Sequence, residues 1–151
     1  MPFELHPPLT AFPVALLTLV VIFEGIALAR PAPGWRHSIE VLLVLAVLAV
    51  AAAFFSGYQA SDRANQTFTI ADEVIAWHHV MGRALLFAIV PCAALRFVAA
   101  RARFNRTGFY TAYGFALALC LGLVAYTGWL GGELVFEHGA GVRATLPAGA
   151  P

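Results

Sequence analysis

A chain of 151 residues that is 61% hydrophobic and 11% charged, with a net charge of +1, stands far from soluble domains, which run near ~45–50% apolar and ~25% charged. That balance excludes a nucleic-acid partner, because no basic stripe exists to neutralise phosphates, and it leaves no length for a sizeable catalytic domain outside a bilayer. The basic residues are all arginine, and Cys92 and Cys120 lie inside apolar runs, where they read as small buried hydrophobes and not as a disulfide framework.

Four apolar segments near the ~20 residues that cross a bilayer predict an all-α, integral membrane four-helix bundle with up-down-up-down topology, residues 1–151 forming a single transmembrane domain. The first segment runs from about Pro13 to Ala29, with Pro13 suited to a first helical turn. No basic residue precedes Arg30, so this segment reads as a spanning helix and not as a cleaved signal. The second runs from about Ile39 to Tyr58, behind Ser38 as N-cap. The third runs from about Ile70 to Ala100, where Thr69 and Asp72 have capping-box spacing. The fourth runs from about Gly108 to Glu137, with Gly139 placed to end it and a flexible tail expected over 140–151.

Arginines set the expected orientation. The first and third loops hold Arg30, Arg36, Arg101, Arg103 and Arg106, with Arg96 nearby, whereas the other side carries only Arg63 and Arg143. The positive-inside rule then gives a multi-pass protein of the bacterial inner membrane with both termini periplasmic.

On this topology His6, His78, His79 and His138 all fall in the outer half of the bundle, while His37 faces the cytoplasm. Imidazole is the common ligand of haem iron, zinc and copper, and helical bundles build such sites between facing helices. His78 and His79 are adjacent and point about 100° apart, so at most one faces the axis, and the sequence does not choose between them. Gly82 lies on the His78 face, and Gly122, Gly128, Gly131 and Gly132 would allow close approach to a porphyrin walled by Trp77, Tyr126 and Trp129. The Gly128–Gly132 GxxxG pair reads equally as a packing face between membrane helices. Glu24 and Arg83 are placed at a shared depth of about 16–20 Å from the outer surface. That suggests either a buried ion pair or an Arg83 turned to a haem propionate. Glu133 and Glu137, at i and i+4, add carboxylates for a mixed oxygen and nitrogen metal site.

Two end motifs are similar to those of a known family. Leu5-His6-Pro7-Pro8-Leu9-Thr10-Ala11-Phe12-Pro13 resembles the opening of the DUF2231 membrane proteins, and Leu130-Gly131-Gly132-Glu133-Leu134-Val135-Phe136-Glu137-His138-Gly139 resembles their close. The resemblance covers nearly the whole chain and implies a small four-helix membrane protein associated with Rieske or c-type cytochrome modules. It also implies a second histidine directly before Phe12-Pro13, a position held here by Ala11.

The expectation is a b-type cytochrome-like electron-transfer subunit. It would hold haem b through His78 or His79 together with His6 or His138, and exchange electrons with cytochrome c or Rieske-type partners. Two alternatives stand beside it. One is a cofactor-free accessory or assembly subunit whose glycine faces pack on partner helices, including a second copy of the chain. The other is a divalent-metal transporter using the His/Glu cluster.

Overall fold

The computed structural model describes residues 5–67 and 72–138, and they form four helices: α1 (His6–Ala29), α2 (Pro33–Thr67), α3 (Asp72–Arg101) and α4 (Arg106–Phe136). All four are long and apolar enough to cross a membrane. The shortest, α1 with 24 residues, rises ~36 Å against a hydrocarbon core of ~30 Å. The expected tail, Gly139 and Thr69 lie outside the described residues.

The first two helices reach well beyond their expected bounds. The first helix begins at His6, not Pro13, because Pro7 and Pro8 already occupy its first turn, where missing N–H groups cost nothing. Pro13 is therefore internal and buried, a substitution that membrane helices tolerate when neighbours cover the freed carbonyl. The second helix is extended at both ends, to Pro33–Thr67, and the expected start of the third, Ile70, lies outside the described residues. The turn between α3 and α4 is closed by Asn105 in the left-handed region, φ 47°. A Cβ on Gly108 would meet the Asn105 side-chain oxygen at 2.5 Å, so glycine lets the Asn105 side chain fold back over the start of α4.

Neighbouring helices in sequence are neighbours in space, and α1 meets α4 over a narrower contact to close the ring. Their buried faces share one period. Pro13, Leu17 and Val20 on α1, Ile39, Leu43, Ala46 and Val50 on α2, Leu85, Ile89 and Cys92 on α3, and Tyr113, Leu117, Cys120 and Val124 on α4 are all buried. Each set alternates steps of +4 and +3, the seam of a left-handed supercoiled bundle. Continued in both directions, the same count reaches His6 and Glu24 on α1, Gly57 on α2, His78 and Arg96 on α3, and Gly131 on α4. An apolar core thus lies between a histidine end and an arginine end.

Candidate imidazole layer

At the arginine end the seam closes on a charged pair. The Arg96 Nε–H donates to Glu24 Oε1 at 2.6 Å, and Arg96 is almost wholly buried. The Arg96 guanidinium also lies over the rings of Tyr110 and Tyr113, at 5.4 and 5.8 Å from their centres. Tyr113 is buried beside the Glu24 carboxylate, its hydroxyl without a hydrogen bond of good geometry. This corrects the expected Glu24–Arg83 pair, for Arg83 is exposed on the outside of α3. The depth comparison failed because α1 starts earlier than Pro13. Counted from His6, Glu24 is ~27 Å along its helix, level with Arg96, whereas Arg83 lies ~20 Å of helix away from Arg96. On the flank of the same end Glu40 accepts from Arg36 at 3.2 Å and from Arg101 at 2.9 Å, tying α2 to α3.

At the histidine end the seam brings two imidazoles together across the bundle. His6 on α1 and His78 on α3 have ring centres 6.1 Å apart with planes at 89°. Each ring backs onto a glycine of the next helix. A Cβ on Gly57 would meet His6 Cε1 at 2.8 Å, and one on Gly131 would meet His78 Cε1 at 3.3 Å. His6 Nδ1 lies 3.1 Å from Ser56 Oγ, whose own hydrogen goes to the Ala53 carbonyl at 2.9 Å. The hydroxyl is thus placed to accept from Nδ1–H. His78 Nδ1 is buried with no hydrogen bond of good geometry, the Thr127 backbone lying nearby.

The remaining expected residues distribute unevenly. His79 turns from the axis to the Tyr58 ring, 5.4 Å away, so of the adjacent pair it is His78 that faces the bundle interior. His138 follows the end of α4 by two residues and stands seven residues, or ~10 Å, beyond Gly131, away from the paired rings of His6 and His78. A Cβ on Gly82 would meet Phe54 at an ordinary 3.9 Å, and one on Gly128 or Gly132 would meet no other helix within 4 Å among the described residues. Trp77, Tyr126 and Glu133 line an outward cleft and do not wall the histidines. Among the described residues no three His, Cys, Asp or Glu side chains converge as a metal cluster, so Glu133 and Glu137 do not complete one. Ala11 is exposed, so the position that the resemblance assigns to a second histidine points away from this layer.

Gly57 and Ser56 are the layer members that sequence reading missed. The seam count would have found Gly57, which falls opposite His6 in an antiparallel pair.

The match to a family model described as a predicted membrane protein spans residues 2–144. The chain belongs to the DUF2231 family. As a DUF2231 protein it is a multi-pass membrane protein of four spans, and the opening and closing motifs supply His6 and Gly131, two of the four seam positions of the imidazole layer. No curated protein and no solved structure matches the chain.

Proposed function

We propose that this protein is a b-type cytochrome-like electron-transfer subunit of the bacterial inner membrane, with His6 and His78 as the residues that would hold haem b at the histidine end. The observation that carries the reading is the pairing of two imidazoles from diagonally opposed helices in one layer, 6.1 Å between ring centres, each backed by glycine. The donor set fits the group. A porphyrin supplies four ligands itself and asks two of the protein, whereas a bare zinc ion asks three or four, and a third ligand does not converge here among the described residues. The Ser56 hydroxyl on His6 Nδ1 is the kind of outer hydrogen bond that orients a ligating ring. Bound haem would supply a one-electron iron couple. The chain's own part is to fix the two rings, exclude lipid from them and hold them at the membrane edge.

The arginine distribution supports an orientation with the histidine end and both termini periplasmic, where a cytochrome c or Rieske-type partner would dock. A periplasm-active reporter fused at Pro151 is expected to give signal and one at Arg103 none; the reverse pattern overturns that orientation. The haem reading is tested by the visible spectrum of protein produced with ample haem. His6→Ala and His78→Ala should each lose the reduced α band, while His79→Ala and His138→Ala keep it. A wild-type protein that folds without any haem absorbance refutes the assignment.

A further inference from the structure

The histidine end carries a second polar feature on its outer flank, independent of the imidazole layer. Glu73, Val74 and Trp77 from the first turns of α3, with Tyr126, Leu130 and Glu133 from the last turns of α4, line an open cleft of about 260 Å³. Leu130 forms a buried floor. The Trp77 and Tyr126 rings stand half exposed as walls, and Trp129 braces Tyr126 at 5.8 Å between ring centres. One carboxylate comes from each helix, and neither has an ion-pair partner among the described residues. Glu73 is the second residue of α3 and Glu133 lies three before the end of α4, which sets both at head-group level.

Two carboxylates that have no ion-pair partner among the described residues, set beside aromatic walls, suit a cation. A small hard metal ion would gain nothing from tryptophan or tyrosine faces, since it prefers oxygen ligands throughout. An alkylated ammonium gains from all three surfaces at once: charge against the carboxylates, N-bound carbons against the ring faces, and an alkyl chain on the Val74 and Leu130 floor. The cleft is smaller than the ~300–1,000 Å³ that encloses drug-sized ligands, which suits a head group and not a whole amphiphile. We propose that this cleft binds an alkylammonium cation, its charge between Glu73 and Glu133 and its carbons against Trp77 and Tyr126. Both an amino lipid and a free lipophilic amine present that chemistry, and the position at head-group level makes either accessible along the membrane surface.

The test uses the full chain in neutral maltoside micelles, titrated by calorimetry with decyltrimethylammonium below its micellar concentration. Saturable binding at one site is expected. It should weaken at least tenfold in Glu73→Gln/Glu133→Gln and in Trp77→Ala, and stay unchanged in Arg83→Gln, with helical circular dichroism confirming that each variant is folded. Unchanged affinity in the double carboxamide variant, or no saturable binding in the wild type, overturns the proposal. Native mass spectrometry from membranes separates the sources. Phosphatidylethanolamine retained over phosphatidylglycerol, and released in the double variant, identifies a lipid occupant. Equal retention of both lipids alongside intact decyltrimethylammonium binding identifies a free amine.

Discussion

At the arginine end, the seam holds Glu24 and Arg96 2.6 Å apart, with tyrosine rings beneath the guanidinium. At the histidine end, the same seam holds His6 and His78 with 6.1 Å between ring centres and glycines on their far sides. Both contacts join α1 to α3 across the bundle, and both residues of each pair lie on the same +4, +3 count. The difference lies in what fills the two remaining corners. Near the charges, Ile39 and Tyr113 are bulky and buried, so the layer is filled and its cation saturated by a carboxylate. Beside the imidazoles, Gly57 and Gly131 remove side chains, and His78 Nδ1 is left without a good hydrogen bond. A layer of the first kind locks helices; one of the second kind keeps bonding capacity for something else.

The sharpest way to break this comparison is to uncouple the lock. Removing one partner of a buried pair leaves an uncompensated charge and costs about 3–5 kcal/mol. Glu24→Gln and Arg96→Gln should therefore each lower the detergent-denaturation midpoint strongly, and the double variant should regain much of the loss. Single variants as stable as the wild type would remove the arginine end from the comparison. A smaller effect is expected at the glycines. Gly57→Ala places a methyl 2.8 Å from His6 Cε1, an overpacking of about 1–3 kcal/mol, and should displace the His6 ring. Gly131→Ala, with 3.3 Å available, should cost less. The reverse order, measured by the same denaturation series, would contradict the ring placement. The smallest effect belongs to Arg83→Gln, which should shift stability by no more than about 0.5 kcal/mol, as exposed substitutions do.

Hydropathy made the four spans legible because length and apolarity are properties of contiguous sequence. The start of α1 was not, since Pro13 and the Pro7–Pro8 pair each satisfy the rule for a first turn. That ambiguity of seven residues moved Glu24 ~10 Å in depth and gave it the wrong arginine. Arg96 was grouped with the loop arginines by its nearness to Arg101, although it sits eleven residues past Leu85 as Glu24 sits eleven past Pro13. Counting the seam would have paired them. The converging histidines were readable as a group, but His138, also on the seam, follows the end of α4 beyond the first residue of α1, so no α1 residue lies opposite it. The GxxxG spacing of Gly128 and Gly132 is a property of one helix. Which glycine admits a ring depends on the opposing helix, and that glycine is Gly131.

Between the two polar layers the core is made of Leu17, Val20, Leu43, Ala46, Val50, Leu85, Ile89, Leu117, Val124 and other buried apolar side chains. His6 and Glu24 are ~27 Å apart along α1, nearly the full hydrocarbon thickness. The interior therefore acts as an insulator across which most of the transmembrane voltage falls. Carrying one elementary charge from one layer to the other would exchange about 2.3 kcal/mol per 100 mV with the membrane potential. A charge that arrives and leaves within the histidine layer crosses little of that drop, so electron exchange there would proceed almost independently of how strongly the membrane is energised.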